Sequence, residues 1–290
     1  MTNPLPFTKM HGAGNDYVYV NAFAENIADP GELAKKISDR HFGVGSDGLV
    51  LLLPSQVADI RMRMFNSDGS EAEMCGNASR CICKFAYDQG IVDRKELRLE
   101  TGAGIREVTL IFRGEEVVGA TVDMGRPRLL PAEIPLAGEL LSAEQQAGKS
   151  FISQPVDIDG KSVTITALSM GNPHAVVLVE NPDSLDLEKI GPHFEQNQLF
   201  PKKTNTEFIQ VLGPSRIRMR VWERGAGETL ACGTGACAAA VACALNGYTG
   251  PEVDVELRGG VLHIEWNREN DHVYMTGNAV TVFDGHFFHE

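Results

Sequence analysis

The segment running from Ile60 to Gly90 is repeated without a gap by the segment from Ile217 to Gly247, an offset of 157 residues. The copies match at Ile-Arg-Met-Arg, at Glu71 and Glu228, at Cys75-Gly76 and Cys232-Gly233, and at the closing glycine. The same offset carries Gly14-Asn15 onto Gly171-Asn172. Two copies of a domain-sized period point to a duplicated domain rather than a many-unit array. The expectation is two half-chains facing each other across a pseudo-twofold axis.

With 290 residues, each half is long enough to bury its own core. A formal charge of −13 and the absence of any Lys/Arg stripe argue against nucleic acid and anionic membrane as partners. The longest apolar runs, such as Leu49–Leu53 and Ala238–Leu245, are too short to span a bilayer, and the start has no basic and apolar leader pattern. A soluble, cytoplasmic protein is expected.

Six cysteines, at 75, 81, 83, 232, 237 and 243, are spaced C-x5-C-x-C and C-x4-C-x5-C, a poor fit to the C-x2-4-C pair with a second pair or histidines at matching spacing that zinc sites show, so no metal is expected. Only Cys75 and Cys232 recur at the same place in the repeat. The other four fall within the helices that follow, where a free cysteine usually serves as a small buried hydrophobe.

Arg61–Phe65 and Arg218–Trp222 alternate polar and apolar side chains and read as strands, each leading through a glycine-containing loop into a Cys-Gly helix start. The second helix is mostly alanine and stops at Asn246-Gly247. Asp29-Pro30-Gly31-Glu32 opens a helix near residues 30–40, with a weaker counterpart opened by Asp183-Ser184 near 184–190. Residues 127–155, rich in Pro, Gly and Ala, read as the stretch joining the halves and adding a meander. Strands dominate elsewhere, which makes a mixed α+β protein built twice.

A cysteine at a helix start lies where unpaired backbone N–H groups and the helix dipole favour negative charge. The same N–H groups can hold a carboxylate. Two such starts brought together would place one substrate carbon between two thiols, where it could lose its proton to one face and regain it from the other. A Cys/His nucleophile pair would use one cysteine and leave the duplication unexplained.

Four further segments carry a resemblance: Lys9-Met10-His11-Gly12-Ala13-Gly14-Asn15-Asp16, Phe65–Ser70 leading to Cys75-Gly76-Asn77, Ser169–His174, and Glu223–Thr229 leading to Ala231–Gly235. In order, and almost end to end, they closely resemble the diaminopimelate epimerase family. These cofactor-independent enzymes interconvert LL- and meso-diaminopimelate on the route to lysine and peptidoglycan.

The resemblance implies two domains, residues 1–124 with 275–290 and residues 125–274, each a β-barrel-like mixed sheet around a central helix. It places the active site in the cleft between them. Cys75 and Cys232 would be the base and acid pair, and the amides of Gly76, Asn77, Gly233 and Thr234 would hold the reacting α-carboxylate. Asn15 would orient the reacting amino group. Asn66, Asn172, Asn205 and Arg224 would grip the distal amino-acid end, with Glu223 beside them. His174 and Glu223 would adjust the thiols. The partner implied is a small-molecule substrate, diaminopimelate, with no cofactor, and a homodimer is left open. One departure stands out: many members carry a substrate-contacting Gln where this chain has Gly48. The nearest rival reading is a proline or hydroxyproline racemase, which needs no grip on a second amino-acid end.

Overall fold

The computed structural model describes residues 4–148 and 150–288. The chain separates into two compact units, one formed by the described residues up to Asp123 together with those from Thr276 on, the other by Met124–Met275.

In the first unit the order is β1 (Leu5–Gly12), β2 (Asn15–Asn21), α1 (Pro30–Ser38), β3 (Gly48–Leu53), β4 (Ile60–Asn66), β5 (Glu71–Ala72), α2 (Gly76–Asp88), β6 (Glu96–Thr101), β7 (Gly104–Arg113) and β8 (Glu116–Asp123). The second unit holds α3 (Ala143–Ala147), β9 (Phe151–Ile158), β10 (Lys161–Ser169), β11 (Pro173–Leu178), α4 (Leu187–Glu195), β12 (Asn205–Gly213), β13 (Arg216–Glu223), β14 (Gly227–Thr229), α5 (Gly233–Leu245), β15 (Glu252–Leu257) and β16 (Gly260–Trp266). The chain returns to the first unit through β17 (Val273–Asn278) and ends in β18 (Val280–Phe287).

The repeat is kept element by element. Helices α1 and α4, and α2 and α5, begin and end at the same 157-residue offset. Ladder partners repeat too: β2 runs parallel to β3 with Tyr17 beside Gly48, and β11 runs parallel to β12 with His174 beside Asn205. Parallel pairs also join β4 to β6 and β13 to β15, while the hairpins are antiparallel. The flanking partner is where the units differ. β1 pairs with the C-terminal β18, whereas its counterpart β10 pairs with β9, the strand just before it.

The strands of each unit wrap one helix, and the sheet does not close into a barrel. α2 packs against β1, β2, β3, β4, β6, β7 and β8, and α5 against β10, β11, β12, β13, β15 and β16. A helix buried all round must carry small or apolar side chains on every face. In α5 this is met by alanine, glycine, cysteine and valine from Gly235 to Cys243, all buried. Both helices stop where a glycine takes the left-handed conformation, Gly90 at φ 67° and Gly247 at φ 72°.

Local expectations are corrected in two places. The fourth helix begins at Leu187, capped by Asp186 accepting from the Lys189 amide, and Asp183 belongs to a separate 3-10 turn at Pro182–Ser184. The joining stretch contains α3 and the start of β9, which admits Pro155 opposite Thr164 in its ladder with β10.

Candidate functional site

Each candidate cysteine is the N-cap residue of its unit's central helix, with extended backbone (Cys75 φ −137°, ψ 125°; Cys232 φ −115°, ψ 112°). The residues that follow, Gly76-Asn77 and Gly233-Thr234, therefore supply the first-turn amides that have no intrahelical partner. Such a start favours an anion in either unit.

Around Cys75 the polar groups come from the β1–β2 turn and from the loop before β3. Cys75 Sγ lies 3.4 Å from Asn15 Oδ1, which also faces Asn77 Nδ2 at 3.5 Å. Asn15 Nδ2 donates to Asp47 Oδ2 at 2.8 Å, so the orientation of the amide is set by a carboxylate. Asp47 also accepts from the Asp16 amide and from Arg40. Behind the helix start, the fully buried Arg80 donates to Asn77 Oδ1 at 2.8 Å and to the carbonyl of Asn278 at 3.1 Å. Asn66 lies at the end of β4, where it donates to Ser70 Oγ.

Around Cys232 the set is denser. Sγ accepts from the Gly235 amide at 3.4 Å and lies 3.5 Å from Thr234 Oγ1. Asn172 Nδ2 donates to Thr234 Oγ1 at 3.4 Å, and Asn172 Oδ1 faces His174 Nε2 at 3.0 Å. His174 Nδ1 is 2.7 Å from Glu207 Oε1, and neither side chain is exposed. Burial, then the charges of Glu223 and Glu207, push the Cys232 thiol well above its ordinary value, against the pull of Thr234 and the Gly235 amide. Burial likewise raises Glu207, with His174 opposing.

Asn205 is buried with both ends of its amide on main chain: Nδ2 on the Pro173 carbonyl and Oδ1 on the Arg224 amide. It thus holds the backbone of Arg224, whose guanidinium reaches the Lys202 carbonyl. Glu223, next in sequence, accepts from Thr229 Oγ1.

Gly48 has a steric reason. A Cβ there would come 2.1 Å from the Phe65 carbonyl oxygen and 2.8 Å from Tyr17 Cε1. No longer side chain fits on this backbone.

Asp47 and Glu207 are among the polar groups that the sequence did not single out. The repeat pairs Asp47 with Thr204 and Glu207 with Val50, so a search for matched residues passes over both. In Glu207 the available signal is the single charged residue of β12, which lies in its buried stretch Asn205–Ile209.

Comparison with known proteins fits this arrangement. A solved Bacillus anthracis phenazine biosynthesis protein of the PhzF family overlays with a TM-score of 0.69, covering 99% of this chain and 100% of that chain. At 18% identity the likeness defines a shared α+β fold. Residues 7–130 and 166–282 match the family model for diaminopimelate epimerase. A diaminopimelate epimerase of Desulfovibrio desulfuricans is 61% identical over 288 residues, 99% of this chain and 100% of that protein. One of Acetivibrio thermocellus is 56% identical over 281 residues, 97% of this chain and 98% of that protein. The chain belongs to the diaminopimelate epimerase family.

Proposed function

We propose that this protein interconverts LL- and meso-diaminopimelate by passing a proton between Cys75 and Cys232, without a cofactor. The observation that carries the reading is the placement of both cysteines as N-caps of equivalent 13-residue helices. An α-carboxylate bound by the first-turn amides would present its α-carbon to the adjacent thiol, and two such starts provide one thiol for each face. The developing enolate needs fixed donors, which the amides of Gly76, Asn77, Gly233 and Thr234 supply.

Asn15 lies beside Cys75 and suits the reacting amino group. At the distal end, Arg224 offers a planar fork for a carboxylate, with Asn205 holding its main chain and Asn66 and Asn172 as further polar contacts. Glu223 and His174 act on the Cys232 side, Glu223 through its charge. No group of His, Cys, Asp and Glu suited to a metal is found among the described residues, and no described helix is long and apolar enough to cross a membrane. The reading allows a homodimer, for which β18 is the candidate edge because Val282 and Phe283 are about half exposed. Sedimentation equilibrium tests that part.

The experiment for the reaction uses purified protein dialysed against chelator and treated with hydroxylamine, which inactivates carbonyl cofactors. The treated protein is expected to convert LL-diaminopimelate into the same equilibrium mixture with meso-diaminopimelate, and at the same rate, as untreated protein. Loss of activity that returns with a metal or a carbonyl cofactor contradicts the reading.

A further inference from the structure

Five polar side chains of the second unit form one unbroken chain ending on a thiol: Glu207, His174, Asn172, Thr234 and Cys232. We propose that Glu207 is a positioning residue, which fixes through His174 and Asn172 the direction in which the Thr234 hydroxyl points its proton at Cys232. The proposal rests on the reading of Cys232 as one of the two proton-transfer residues.

The argument is one of proton counting. Asn172 Oδ1 carries no hydrogen, so the 3.0 Å contact with His174 requires the proton to sit on Nε2. At its other end Asn172 donates, so Thr234 Oγ1 accepts, which leaves the single hydroxyl proton free for Cys232 Sγ. Between His174 Nδ1 and Glu207 Oε1, 2.7 Å apart, lies one further proton. Wherever along that contact it rests, the pair carries no net charge.

Rotating the Asn172 amide would reverse every link. His174 Nε2 would then be an acceptor, its only proton would sit on Nδ1, and Thr234 would turn its hydroxyl proton to Asn172 and away from the thiol. With Glu207 ionised, that alternative leaves a net negative charge among side chains with no exposure, and with Glu207 protonated it leaves a buried acid hydrogen on Oε2 with no acceptor among the described residues. Glu207 Oε2 has no hydrogen-bond partner among the described residues, so nothing there compensates such a charge. The carboxyl group therefore selects the arrangement that gives Cys232 two donors, the Thr234 hydroxyl and the Gly235 amide. A neutral amide at 207 would remove the selection, because both arrangements would then be uncharged.

Among the described residues, the matching places of the first unit hold no such chain. Val50 stands at the place of Glu207, Tyr17 at that of His174 and Asn77 at that of Thr234. The charged groups acting on Cys232 are Glu223 on β13 and Glu207 on β12, with His174 on β11 against Glu207.

Two measurements test the proposal. In wild-type protein labelled with 15N at histidine, the nitrogen shifts of His174 should show Nε2 protonated. An unprotonated Nε2 overturns the proposal without any variant. In Glu207→Gln, the same nitrogen shifts are followed together with kcat and KM. The expected result is loss of the Nε2 proton in a share of the molecules and kcat lowered about tenfold, as befits one hydrogen bond to a charged group, with KM within about twofold. A His174 that keeps Nε2 fully protonated in the variant, or a kcat equal to wild type, overturns it. Cys232→Ala separates the two levels: if that variant keeps full activity, the proton-transfer reading fails; if it is inactive while Glu207→Gln is unchanged, only the positioning role fails.

Discussion

Asn15 and Asn172 occupy the same place in the repeat and turn opposite ends of their amides toward their helix starts. Asn15 presents Oδ1 to Cys75 and Asn77, whereas Asn172 presents Nδ2 to Thr234. Cys75 therefore donates to its neighbour, and Cys232 accepts from its own. The duplication is symmetric in its helices and antisymmetric in the polar groups that surround them.

Removing the acceptor beside Cys75 should cost activity and little stability, because Asn15 is half-buried at a turn. Asn15→Leu is expected to lower kcat/KM by about tenfold, the equivalent of about 1.4 kcal/mol for one hydrogen bond. Its thermal midpoint should stay within a few degrees of wild type. Steady-state kinetics and a melting curve check both parts.

Arg80 is a buried cation that ties the α2 start to Asn278. Arg80→Met keeps the length but removes the donors to Asn77 Oδ1 and to the Asn278 carbonyl. The expected loss is about 3 kcal/mol, since truncating a buried charged partner leaves polar groups unsatisfied. Urea unfolding gives the number directly.

A glutamine placed at position 48 should not improve the enzyme. Gly48→Gln drives a side chain into the Phe65 carbonyl and the Tyr17 ring. Overpacking of this kind costs about 1–3 kcal/mol. A variant as stable as wild type would refute the steric account.

Alkaline pH should unfold the protein partly through Cys81, which burial pushes from 9.0 to about 11. The sign follows from linkage: a raised folded pKa means that the folded state holds the proton more tightly, so the contribution is full below about 9 and is lost as pH rises to about 11. Cys81→Ala should therefore lose less stability than wild type across that window. Urea midpoints measured at several pH values decide the point.

Much of this fold is legible in the sequence because the repeat is gapless where it matters. The offset of the two cysteines is also the offset of α1 to α4 and of β2–β3 to β11–β12. What escaped lacks a clean local pattern. β9 is broken by Pro155 and by Ser153 at φ 48°, so its alternation does not show. Glu207 escaped for a different reason: its role depends on meeting His174 across a parallel ladder, a contact between residues 33 apart that no local spacing encodes. Asp183 misled as a cap because the 3-10 turn and the helix that follows are each opened by their own Asn or Asp.

The most direct test of the account is epimerisation of LL-diaminopimelate in deuterated water by wild type, Cys75→Ala and Cys232→Ala. Wild type should place one deuteron on the inverted α-carbon, and each variant should lose epimerisation by about 10²-fold or more, the scale of a lost general acid or base. Inversion that retains the original proton in wild type, or a wild-type rate in either variant, would contradict it.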